Sequence, residues 1–165
     1  MEERPKLIVP LTSADKFMEG LGVIGLITLW VFTIYIYPNL PETIPIHFNF
    51  KGEVDGYGSR MMAWLAPVIA MVLFGVLTFL NQHPHQFNYS VKITPENALR
   101  QYTLATRMIR ILKWLLIVIF ILLQWELWQA SQDNNPHLSS LFLPIILMLM
   151  LLPVIYFVWQ SQRQK

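Results

Sequence analysis

Four apolar runs, each close to twenty residues long, constrain this chain more than any other feature. They cover Phe17 to Tyr37, Met61 to Leu80, Ile111 to Trp128 and Leu138 to Trp159. A helix rising 1.5 Å per residue needs about 20 residues to cross the hydrocarbon core of a bilayer. None of the runs alternates apolar with polar residues as a half-buried strand does. None carries the polar stripe of a soluble bundle helix either. The expected fold class is therefore an all-α integral membrane protein with four transmembrane helices, at about 17–37, 61–80, 95–129 and 138–159. Segment 1–16 precedes a membrane domain over 17–130, and 160–165 forms a short tail after the fourth helix.

Composition narrows the function classes. Only 13% of the 165 residues are charged and 55% are hydrophobic, whereas a soluble domain carries about 25% charged residues. With no cysteine, the chain has no disulfide, no thiolate metal cage and no Cys nucleophile. A formal charge of +2 is too small to point to nucleic acid, and none is expected as a partner. The first run also reads poorly as a cleaved signal peptide. Glu2, Glu3 and Asp15 dilute Arg4, Lys6 and Lys16 ahead of it, and no small-x-small site follows.

Basic residues set the expected orientation. Arg4, Lys6 and Lys16, then Lys92, Arg100, Arg107, Arg110 and Lys113, then Arg163 and Lys165 fall on one side. Lys51 and Arg60 fall on the other, a ratio of ten to two. The positive-inside rule places both termini in the cytoplasm. Tyr35, Tyr37, Trp64, Trp125 and Trp128 would then form an outer aromatic belt, with Trp114 and Trp159 on the inner side.

The first outer loop, residues 37–60, holds the densest chemistry. Pro38, Pro41 and Pro45 keep the chain extended and remove backbone donors. Ile46-His47-Phe48-Asn49-Phe50 alternates, so His47 and Asn49 would share one face of a short extended segment. Ile46, Phe48 and Phe50 would be buried on the opposite face. Lys51-Gly52 and Asp55-Gly56 signal turns, and Ser59 suits the cap of the second helix. His47, Asn49, Gly52, Asp55 and Gly56, with Glu126 of the third helix, are the candidate ligand-binding set. His47 and Asp55 are also the candidate ligands for a divalent metal, the one cofactor considered, although HxN(x5)D is no recognised metal set. Two other readings stand beside these. His47 and Asp55 can instead pair with each other and lock the loop, or the whole set can merely build a folded cap.

The stretch 37–60 follows the pattern YPxLPxxIPxHFNxxGxxDGYGSR, and it resembles the signature of domain of unknown function 1648. The resemblance runs over about Leu21 to Leu80. A second stretch, Val91 to Tyr102 with Arg107, Met108 and Arg110, resembles the continuation in short members. That family comprises small bacterial membrane proteins and the N-terminal half of SdpI-type immunity proteins. The resemblance implies a multi-pass protein of the bacterial cytoplasmic membrane. It also implies an outer loop that recognises an extracellular peptide or small ligand, with a membrane-protein partner or a second copy as further candidates. The chain stops at four helices, without the second membrane domain of the SdpI-type proteins.

Other features are weaker. Thr94-Pro95-Glu96 signals the start of a long third helix whose first turns extend beyond the bilayer. Arg100, Arg107 and Arg110 line one stripe of that extension, either as a lipid-headgroup site or as ordinary anchoring charge. Glu126 lies sixteen residues past Arg110, about 24 Å along a helix, where it would snorkel outward or turn in toward His47 or Arg60. Pro144 and Pro153 are expected to bend the fourth helix, and Pro67 the second. Gly22 and Gly25 would let helices approach closely. The chain lacks phosphate-loop, HExxH and GxSxG motifs, and it shows no midplane charge. The reading is a non-enzymatic membrane protein with a ligand-binding outer loop. The alternative is a metal-binding sensor or hydrolase using His47 and Asp55.

Overall fold

The computed structural model describes residues 4–133 and 136–163. Glu2 and Glu3, which dilute the basic residues ahead of the first run, and Lys165, one of the ten basic residues on the inner side, lie outside the described residues. Four helices are long and apolar enough to cross a membrane. They are α1 (Ser13–Ile36), α2 (Leu65–Leu80), α3 (Ala98–Gln132) and α4 (Phe142–Arg163). Between α1 and α2 the chain is not an irregular loop. It forms an antiparallel hairpin of β1 (Thr43–Phe48) and β2 (Val54–Ser59), so the fold is mostly rather than wholly α-helical.

The helix ends follow local chemistry. α1 starts at Ser13, four residues earlier than hydropathy alone suggests, because Thr12 and Asp15 form a capping box. Thr12 N–H donates to Asp15 Oδ2 at 2.9 Å, and Asp15 N–H donates to Thr12 Oγ1 at 3.3 Å. The Ser59 hydroxyl accepts from Met61 N–H at 3.3 Å, capping a 3-10 turn (Arg60–Trp64) that leads into α2. Regular α3 begins at Ala98, although Ala98 N–H already reaches Thr94 O at 2.9 Å. A hydrogen bond from Thr94 holds the Glu96 carboxyl below the usual carboxylate range. α4 starts at Phe142 rather than Leu138. Pro144 therefore falls in its first turn, where the missing N–H has no helical partner to lose, and does not bend the helix. Pro67 sits likewise in the first turn of α2, and Pro153 alone lies in a helix interior.

α3 is the central post, against which α1, α2 and α4 all pack. Leu29, Ala70 and Ile117 are buried where α1, α2 and α3 meet, with Phe74 and Phe120 packed around them. Two glycines of α1, Gly22 and Gly25, make that approach possible. A Cβ on Gly22 would stand 2.8 Å from Phe74 Cε2, and one on Gly25 would stand 2.9 Å from Ile117 Cγ2. A second small core, of Leu40, Ile44 and Ala63 with Leu127 and Trp128, fastens the base of the hairpin to α3. Large apolar side chains such as Ile24, Val31, Val72 and Leu151 point outward. A bilayer is the environment that accommodates such a surface.

Candidate functional site

The hairpin is built by the residues of the sequence motif. Asn49 sits at the turn, where its Oδ1 accepts from Lys51 N–H at 2.8 Å and Glu53 N–H at 3.1 Å. Its Nδ2 donates to Glu53 Oε2 at 2.9 Å. Gly52 has φ +81°, a conformation open to glycine at little cost. A Cβ there would also stand 2.8 Å from the Leu138 carbonyl oxygen. That contact belongs to a second junction. Leu138 N–H donates to Gly52 O at 2.8 Å, and Glu53 bridges to His137, so the hairpin tip is tied to the chain just before α4.

Two register shifts flank His47, which stands opposite Gly56. A Cβ on Gly56 would lie 2.9 Å from His47 Cβ, so the glycine is what lets the imidazole sit there. His47 Nδ1 and Asp55 Oδ1 are 2.5 Å apart, with side chains 71% and 44% exposed. His47 and Asp55 are thus paired, while Asn49, Gly52 and Gly56 hold the backbone. Among the described residues no group of three His, Asp or Glu side chains is placed to hold a metal ion. The same register shifts overturn the expected apolar face. Strict alternation fails across a bulge, so Ile44 and Pro45 are buried, Ile46 is exposed, and Phe50, beyond the strand end, is fully exposed. Pro38 lies in a 3-10 turn (Tyr37–Asn39), and Pro41 stands exposed before β1. Arg60 stacks over the Tyr37 ring at 5.4 Å. Glu126 is half-buried on α3 and turns to neither Arg60 nor His47.

At the other end of the helices lies a feature that sequence reasoning missed. Asp15 and Glu19, four apart on α1, face Arg107, Arg110 and Lys113, three apart on α3. Arg107 Nε and Arg110 Nη1 lie 3.3 and 3.4 Å from Asp15 Oδ1. Arg110 Nε is 3.3 Å from Glu19 Oε1, an ion-pair distance with poor hydrogen-bond alignment. Lys113, 1% exposed, places Nζ 2.5 Å from Glu19 Oε2 and 2.9 Å from Thr78 Oγ1. The expectation of an open basic stripe at 100, 107 and 110 therefore changes: Arg110 is buried and its charge is held inside the bundle. Nor is the start of α3 a free extension. Tyr102 donates to Pro5 O at 3.1 Å, and Gln101 Nε2 donates to Ser161 O at 3.1 Å. The Tyr89 ring stands 5.6 Å from that of Tyr102, and burial pushes the Tyr89 hydroxyl above the usual tyrosine range. The signal was available as two acids at helical spacing opposite three bases at helical spacing. Taken singly, Asp15 only dilutes the basic N-terminal segment, and Arg107, Arg110 and Lys113 only count as charge on one side of the membrane.

Pro38, Pro45, His47, Asn49, Gly52, Asp55 and Gly56 all fall within residues 24–71. That segment matches the family model described as Domain of unknown function (DUF1648). The matched segment takes in the second half of α1, the whole hairpin and the first turns of α2, and it stops short of α3 and α4. An uncharacterized protein of Archaeoglobus fulgidus is 31% identical over 87 residues, covering 48% of this chain. The chain spans about half the length of this curated relative, 48% of it. No solved structure matches the chain.

Proposed function

We propose that the chain is a non-enzymatic multi-pass membrane protein whose hairpin is a braced recognition element outside the cytoplasm. One observation carries this reading. The hairpin spends its motif residues on rigidity and leaves the aromatic ring of Phe50 fully exposed at the tip. An exposed aromatic on a braced turn is a suitable anchor for a peptide, small ligand or membrane partner. The charge bias of ten basic residues to two supports both termini in the cytoplasm and the hairpin on the far face. The resemblance to SdpI-type proteins supports a bacterial cytoplasmic membrane and a role in immunity or signalling.

A photo-crosslinking residue in place of Phe50 should give a discrete adduct in intact cells, and replacing Phe50 by alanine should abolish function without changing thermal stability. A F50A protein that melts early and is active in proportion to its folded fraction would overturn the reading. Orientation has its own check. Cysteines at the exposed positions Asn39 and Gln86 should differ in intact cells, the first labelling with an impermeant maleimide and the second remaining dark. The reverse pattern puts the hairpin in the cytoplasm. Asn134, a natural third position, lies outside the described residues.

The alternative, a metal-dependent sensor or hydrolase, draws on the exposed His47–Asp55 pair. Metal content that falls in His47→Ala relative to the parent protein would favour it.

A further inference from the structure

Beneath the hairpin lies a chamber of about 330 Å³, bordered by β1, α2, α3 and the start of α4 and open on the side where Ile46, Leu65 and Ile69 are exposed. Its lining is apolar, with Ile46, Phe48, Ile69 and Phe120 among the contributors, apart from Gln124 and Glu126. Gln124 donates through Nε2 to Ala63 O at 3.3 Å, while its Oε1, buried, has no donor among the described residues. Glu126 stands at the edge of the chamber. It also lines the adjoining cleft of about 490 Å³, whose walls include Gln129, Asp133 and His137. Neither lining contains a lysine or arginine among the described residues. Glu126 has no hydrogen bond or ion pair among those residues either.

Glu126 thus places a carboxylate at the mouth of an apolar groove, beside a polar cleft, with no basic side chain in either lining, an arrangement that suits a ligand with a positive headgroup and an apolar chain. A plain alkyl chain leaves that charge unpaired, and an anionic amphiphile is repelled by it. We infer that this cavity binds a single-chain amphiphile carrying a primary amine, with the chain in the chamber and the ammonium on Glu126. The ammonium supplies the missing charge, and its polar surroundings are those of the adjoining cleft. The inference does not depend on what docks on the outer face of the hairpin.

The test uses the full chain in phosphatidylcholine nanodiscs, with a C12 primary alkylamine brominated in its tail as quencher of the nearby Trp125 and Trp128. The matching alcohol and alkyl sulfate are the controls. The amine should quench saturably, with at least about tenfold tighter binding than the alcohol, since an ion pair lost from a partly desolvated site costs about 1.4 kcal/mol or more. In Glu126→Gln the amine should fall to the level of the alcohol. Ala66→Phe, which fills the chamber, should weaken both. Equal binding of amine by the parent protein and E126Q would overturn the inference, as would non-saturable quenching by the amine in the parent protein. If E126Q fails to fold, the ranking of the three probes in the parent protein decides, and equal affinity for all three overturns it.

Discussion

Replacing Lys113 with methionine is expected to destabilise the bundle by about 3–5 kcal/mol, the cost of leaving one partner of a buried ion pair alone. Lys113 is 1% exposed and holds Glu19 at 2.5 Å. Methionine fills similar volume but leaves the Glu19 carboxylate with only Arg110, whose Nε is poorly aligned. The companion change Glu19→Gln should restore much of the loss, because the uncompensated charge then disappears. Thermal melts of the single and double variants in one lipid composition check this as a double-mutant cycle. A K113M protein that melts within about 0.5 kcal/mol of the parent would show that the carboxylate finds water instead. The expected size follows from position: the five charged groups hold α1 against α3 at the end of the bundle away from the hairpin.

Gly52→Ala is the second large effect. The methyl group meets two penalties at once, a left-handed backbone and a carbonyl oxygen 2.8 Å away. The backbone cost alone is about 1–2 kcal/mol, and relieving the clash requires the hairpin tip to leave residue 138. The hydrogen bond from Leu138 N–H to Gly52 O should then break, with the bridge between Glu53 and His137. Hydrogen exchange should speed up at Gly52, Glu53 and Leu138 while α1, α2 and α3 keep their protection. Exchange unchanged at Leu138 would mean that the tip is not tied to the chain before α4. Asn49→Ala should act in the same direction, since it removes acceptors for two backbone N–H groups and frees a glutamate. Asn49 is therefore a poor probe of binding: loss of function in that variant would reflect the turn and not a ligand. Phe50, fully exposed at the tip, is the informative position.

Much of this protein was legible in its order of residues. Four runs of bilayer length fix four helices, because an apolar segment of that length has few other stable fates. Ser59 marks the entry to α2, since a cap depends only on near neighbours, whereas the expected start at Thr94-Pro95-Glu96 falls short: α3 begins at Ala98, with Asn97 at its N-cap position. The closeness of α1 to α2 and α3 was readable in Gly22 and Gly25. The hairpin was half legible: Lys51-Gly52 announced its turn, but Asp55-Gly56, expected as a second turn, lies inside β2, where Gly56 admits His47, and bulges beside His47 cancelled the alternation from which the buried face was deduced. A bulge answers to the partner strand, and nothing within residues 46–50 records it.

What only the tertiary structure decided is which distant residues meet. Asp15 and Glu19 carry no mark of Arg107, Arg110 and Lys113, more than ninety residues on. Each residue taken alone is satisfied by water or headgroups at a helix end, so local chemistry gave no reason to pair them. Packing α1 against α3 removes that water, and the desolvated charges then have only one another. The chamber under the hairpin has the same origin. Ile46, Ile69 and Phe120 are ordinary apolar residues in three separate segments. They line one open chamber beside Glu126 only because β1 folds back over α2 and α3.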